Sequence, residues 1–184
     1  MRTGAHLHAD YLRINPWGKI PALRIGVQVL TEAHAILTYI ADRVPHKELL
    51  PPVNTLARAR AHEWMNFLSS VVHIAFRPLF RTAVLAGVDG PLDVVKRVGI
   101  PVLRNTLAEV DRRLAGRQWS LGDQYSACDA YLFVFWIWSQ REDVVGHVTE
   151  MPNWQRMAER VYARPATQRA LARERLTTAA LKAV

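Results

Sequence analysis

The stretch "NPWGKIPALRIGVQVLTEA", residues 15–33, decides how the chain is read. Asn15-Pro16 followed by Gly18 is turn chemistry. "KIPALRI" and "VQVLTE" are short β-type runs, and Gly26 between them marks a hairpin connection. Directly afterwards, "TEAHAILTYIADRVP" sets Ala33, Ile36, Leu37 and Ile40 at helical spacing, and Pro45 ends the helix. Pro21 has no N–H to give a strand ladder, so it belongs at an edge or a special turn. On this residue pair alone, an ordinary trans proline is favoured over a cis bond. Glu32 stands between strand and helix, where the N–H groups of Ala33 and His34 face outward from a helix N-terminus. Such a place holds carboxylates through its orphan donors and the helix dipole; plain helix capping by Thr31 or Glu32 fits the same residues.

Working outward, the connector "VPHKELLPPVN" follows, and no strand signal appears after Asn54. The spacing predicts one long helix over 55–85, kinked or broken at Pro78, and another over 92–114 with Pro101 as a kink. A third helix starts at Ser126 and carries "DAYLFVFWIW", apolar nearly all round and therefore buried. Two shorter helices, over 153–163 and 165–175, close the chain. The expected architecture is mostly α: a small α/β part over 1–47, then an all-helical domain over 54–184.

Composition narrows the function classes. The chain has 184 residues, half of them hydrophobic, which is enough for a substantial core. Its net charge of +8 comes from arginines scattered along helical segments; the densest run, "RALARER", contains Glu174 and no aromatic residue. Nucleic acid is not the expected partner. No apolar run reaches the roughly 18 residues of a membrane span, so no membrane partner is expected. The single cysteine, Cys128, excludes an internal disulfide, and "MRTGAHLHADYLRINP" lacks a signal-peptide core; a cytoplasmic setting is expected.

Three side-chain groups stand out. Asn66 and His73 are seven positions apart, two turns along one helical face, with Ser70 between them. That polar stripe among Trp64, Phe67, Leu68, Val71 and Val72 has the pattern of a face lining a cleft. "SACD", Ser126 to Asp129, fits an N-terminal capping box with Asp in the usual place of Glu or Gln, which makes Asp129 structural and Cys128 a small buried hydrophobe. Phe76, Phe80, Trp136 and Trp138 supply large apolar surface. The histidines at 6, 8, 34, 46, 62 and 147 show no ligand spacing, so no metal site is expected.

The order NPxGKxPAL, hairpin, TExxAIxxYIAD resembles the second half of the thioredoxin-like domain of glutathione transferases. "LLPPVN", "EWMNFLSSVVHIAFRPLF" and "SACDAYLF" are similar to the bacterial beta class of that family, in order and at compatible spacing. The resemblance implies a fold of two parts, a truncated thioredoxin-like α/β piece and the helical transferase domain, in a cytoplasmic homodimer acting in detoxification. It implies glutathione as co-substrate, small electrophiles as substrates, and attack of the glutathione thiolate on them. It also implies a cis bond at Ile20–Pro21, with the Ile20 backbone pairing the cysteinyl part of glutathione. Glu32 and Ala33 would hold the γ-glutamyl end, Asn66 would reach toward glutathione, and His73 would stand near the thiol as the catalytic residue. Phe76 and Trp138 become candidates for the electrophile pocket. Against the family pattern, the first strand, first helix and second strand, with their catalytic Cys, Ser or Tyr, are absent. Three readings stay open: a transferase of reduced activity, a non-catalytic glutathione-binding or dimerisation module, and the truncated product of a longer gene.

Overall fold

A computed structural model describes residues 4–176. A 3-10 turn (Ala5–Leu7) and the short helix α1 (Ala9–Leu12) come first, where the sequence pattern points only to β-type segments. Asp10 and Arg13, three apart, pair across the end of α1 and support that turn. The Asn-Pro turn is then built around buried Asn15. Its Oδ1 accepts from the Trp17 N–H at 3.2 Å, and its Nδ2 donates to the Lys19 carbonyl at 2.8 Å. The Tyr11 hydroxyl donates to the same carbonyl at 2.6 Å. Two side chains thus fix the backbone just ahead of the Ile20–Pro21 bond, which is cis.

Strands β1 (Ala22–Ile25) and β2 (Gln28–Thr31) form an antiparallel hairpin, in register from Ala22 opposite Thr31 to Ile25 opposite Gln28. Gly26 opens the two-residue turn at φ +59°, a left-handed value that glycine adopts without a Cβ penalty. Helix α2 (Ala33–Arg43) follows at once, and a 3-10 turn (Pro45–Lys47) ends this part.

The helical part departs from expectation first in its opening helix. Helix α3 (Leu56–Phe67), capped by Thr55 whose Oγ1 accepts from the Arg58 N–H at 3.1 Å, does not continue regularly to residue 85. It passes through a π turn (Leu68–Val72), in which the His73 N–H reaches back to the Leu68 carbonyl, into α4 (His73–Ala75). The chain breaks at Phe76 and resumes as α5 (Arg77–Phe80) and α6 (Thr82–Ala86). Pro78 accounts for the break: without an N–H it sits comfortably only in a first turn, which is where α5 places it.

Helix α7 (Leu92–Arg113) continues through Pro101 as a single element. Gly99 lets it approach α5, because a Cβ there would lie 2.2 Å from that of Pro78. Helix α8 (Ala127–Ser139) is the centre of the core, with Cys128 and Leu132 wholly buried and Phe135 nearly so; α9 (Glu142–Val145), α10 (Pro152–Tyr162) and α11 (Pro165–Arg173) complete the chain. The box at its start is formed: Asp129 accepts from the Ser126 N–H at 2.8 Å and from the Ser120 N–H at 2.7 Å. Around α8 pack Ala61 and Met65 of α3, Leu103, Leu107 and Val110 of α7, and Trp154 of α10.

Candidate functional site

The hairpin and α2 create a backbone-lined corner. Ile20 is 54 % exposed, and among the described residues its N–H and C=O make no backbone hydrogen bond. The ladder begins only at Ala22, so the Ile20 peptide is an open edge that an extended peptide can pair with. Pro21, also exposed, holds that edge in place. Glu32 occupies φ +68°, ψ 119°, a region L-residues seldom adopt, and its side chain makes no capping bond. Capping therefore does not explain Glu32; a strained, exposed carboxylate at a helix start is the kind of outlier that marks a binding position. Ala33 follows as the first residue of α2, leaving its N–H unmatched within the helix.

The second candidate group is His73, the first residue of α4. Its ring lies 5.2 Å from that of Trp138 and 5.9 Å from that of Phe135, and neither nitrogen hydrogen-bonds to the protein among the described residues. Burial against these rings lowers its pKa, and the positive charges of Lys19 and Arg77 lower it further. Lys19, from the other part of the fold, thus contributes to the positive surroundings of His73. Sequence reasoning passed over Lys19; its only signal is its place just before Ile20-Pro21.

Trp138 is half-buried and touches His73, Phe80 and Phe135. Phe76 is fully buried, stacked 5.4 Å from Phe80 and 6.2 Å from Phe135. It backs the aromatic wall from inside and presents no surface of its own. Cys128 is sealed in the core, its Sγ 3.4 Å from the Ala61 carbonyl, and burial pushes its thiol up to about 12.

Asn66 is exposed on α3, but the π turn separates it from His73 and the two do not form one continuous stripe. Seven residues make two turns only at 3.6 per turn, and i→i+5 bonding takes up more residues in each turn. Asn66 instead meets α2: its Oδ1 lies 3.1 Å from His34 Nδ1. His34 Nε2 in turn lies 2.8 Å from His62 Nδ1, and Arg58 Nε–H donates to His62 Nε2 at 3.1 Å. Arg58, itself buried, also donates to both carboxylate oxygens of Asp42 at 2.9 Å. The sequence offered no sign of this chain, because His34 and His62 come together only across α2 and α3.

No group of three or more His, Cys, Asp or Glu residues is placed to hold a metal among the described residues. A wide hollow lined by Asp42, Arg58, Trp64, Glu109 and Arg113 among others includes none of Ile20, Glu32, Asn66 or His73. No helix among the described residues is long and apolar enough to cross a membrane.

The chain is similar to known proteins along most of its length. The profile of the glutathione S-transferase N-terminal domain matches residues 1–43. Glutathione S-transferase GstA of Escherichia coli O157:H7 is 36 % identical over 170 residues, covering 91 % of this chain and 79 % of that protein. Among solved structures, a sphingomonad glutathione S-transferase complexed with glutathione superposes with a TM-score of 0.78 at 34 % identity, over 93 % of this chain and 81 % of that one. The bacterial beta class glutathione S-transferase of Sphingomonas chungbukensis gives 0.77 at 35 % identity, over 91 % and 80 %.

Proposed function

Since the chain belongs to the glutathione S-transferase family, we propose that it binds glutathione in the corner between Ile20 and Glu32 and conjugates its thiolate to small electrophiles, as a member of the beta class. The observation that carries this reading is the unpaired Ile20 backbone beside the strained Glu32 turn. The Ile20 N–H and C=O pair the cysteinyl residue as a strand would. Glu32 accepts from the γ-glutamyl ammonium, and the Ala33 N–H donates to its carboxylate. The thiol is thereby directed toward His73.

The charges that lower the pKa of His73 also favour an anion. Lys19 and Arg77 stabilise a thiolate, and neutral His73 can accept a hydrogen bond from the thiol or take its proton. The electrophile then lies against Trp138. Among these residues His73 is the group that acts on the thiol, Cys128 being buried in the core. The cytoplasm is the proposed setting, detoxification the proposed role, and a homodimer the proposed assembly. The domain division at 1–47 and 54–184 belongs to the same reading. An apolar groove of about 600 Å³ between the π-turn segment and α7, lined by Val71, Ile74, Val98 and Val102, supports pairing with a second copy.

Conjugation of glutathione to a generic aromatic electrophile tests the assignment. His73→Ala should lower kcat/KM by about 10-fold or more, while Glu32→Ala should chiefly raise the KM for glutathione. Equal rates for the wild type and His73→Ala would remove His73 from the chemistry. Glutathione binding without turnover would replace the enzyme by a binding module.

A further inference from the structure

We propose that His34 and His62 are positioning residues: with Arg58 they form a one-way hydrogen-bond relay that turns the Asn66 amide so that its NH2 group faces the cleft as a donor to the γ-glutamyl carboxylate of glutathione. The inference rests on the glutathione assignment above and goes beyond it.

The direction of the relay follows from the donors available. A guanidinium N–H can only donate, so His62 Nε2, 3.1 Å from Arg58 Nε, must carry a lone pair. Neutral His62 then has its proton on Nδ1, which donates to His34 Nε2 at 2.8 Å. With that nitrogen accepting, neutral His34 carries its proton on Nδ1 and donates to Asn66 Oδ1 at 3.1 Å. Each step leaves one choice. The opposite amide orientation would need His34 Nδ1 to accept, His34 Nε2 to donate, and His62 Nε2 to carry a proton that meets the Arg58 donor head-on. Arg58 cannot turn away, since it is buried and tied to Asp42 and to the Pro51 carbonyl at 3.0 Å. The asymmetry thus passes from Asp42 to Asn66, whose Nδ2 donates to no protein atom among the described residues.

Two donors left facing outward suit a carboxylate and not an ammonium. Without the relay the Asn66 amide is free to rotate and would present its oxygen half of the time, opposing the carboxylate. The groups facing the histidine pair are Arg58 from α3 and Asp42 from α2, the latter held by Arg58. Uptake of a proton by either ring puts two donors face to face and breaks the relay. Burial, His34 and Arg58 lower the pKa of His62 against the opposing pull of Asp42, so protonation of His62, which breaks the relay, is displaced to the acid side of an ordinary histidine.

Calorimetric titration with glutathione tests this on the full chain. Asn66→Ala should weaken binding about fivefold, the worth of one hydrogen bond. His34→Leu should weaken it about twofold, since the freed amide still offers its donors half of the time. The double variant should be no worse than Asn66→Ala alone, and His34→Gln, which can accept from His62 and donate to Asn66, should recover most of the loss. Wild-type affinity should also fall between pH 7 and 5, and this fall should be absent in Asn66→Ala. Normal binding by His34→Leu, an unaffected Asn66→Ala, or additive losses would overturn the relay while leaving the glutathione site standing. A wild type that does not bind glutathione at all would overturn both. Should His34→Leu fail to fold, nitrogen-15 spectra of the wild-type imidazoles decide the matter at neutral pH. Both rings should be protonated on Nδ1, and an Nε2–H on either one would refute the proposal.

Discussion

The two parts of the molecule are built on different terms. Between residues 4 and 47 only Asn15, Gly18, Ile36 and Ala41 are buried, and no residue of either strand is. From α3 onward a single core runs through every long helix, with Met65, Leu68, Val72, Leu103, Val110 and Leu132 wholly sealed from solvent. Yet the thin part carries most of the groups proposed for recognition: the Ile20 peptide, Lys19, Glu32 and the start of α2. Backbone geometry fixed by local hydrogen bonds is sufficient to shape a binding edge, whereas stability comes from apolar area removed from water. Stability and recognition are therefore separable by region.

The sharpest way to break that separation lies at Asp129. Asp129→Ala leaves the N–H groups of Ser120 and Ser126 without their acceptor in a buried setting, and should cost about 2–4 kcal/mol by urea denaturation. Glutathione affinity of the folded fraction should stay unchanged. A loss of affinity at low urea would show the two parts to be coupled. Next in size is the exposed valine face. Val98→Asp with Val102→Asp should weaken self-association at least about tenfold, or 1.4 kcal/mol, read as a fall to monomer mass in light scattering at micromolar concentration. A wild type already monomeric there would cancel the proposed dimer. The smallest effect concerns Glu32. Glu32→Gly relieves the positive φ and should stabilise the fold by about 1 kcal/mol, yet raise the glutathione KM. Loss of both stability and affinity would mean that the strain is not localised in that turn.

What the sequence disclosed tracks how local each feature is. The hairpin around Gly26, the end of α2 before Pro45 and the box from Ser126 to Asp129 are each written within a few consecutive residues. Their partners are near neighbours, so residue type and spacing suffice. The histidine relay joins residues 28 and 32 positions apart, and nothing near His34 signals the presence of His62 or Asn66. The π turn is hidden for another reason: "LSSVV" carries no proline or glycine, so helical spacing runs through it unbroken. Phe76 is ambiguous in the sequence because an aromatic residue beside a helix break reads alike whether it lines a cleft or backs one. Only its complete burial distinguishes the two.

That π turn sets the phase of everything after it. A screw thread with one widened pitch keeps its axis but delivers each later mark at a new angle. Upstream of the slip the helix addresses α2 through His62 and Asn66; downstream it addresses the aromatic wall of α8 through His73. One continuous rod can in this way answer to two neighbours, and removing a single residue from the slip would re-time His73 without touching any group that binds.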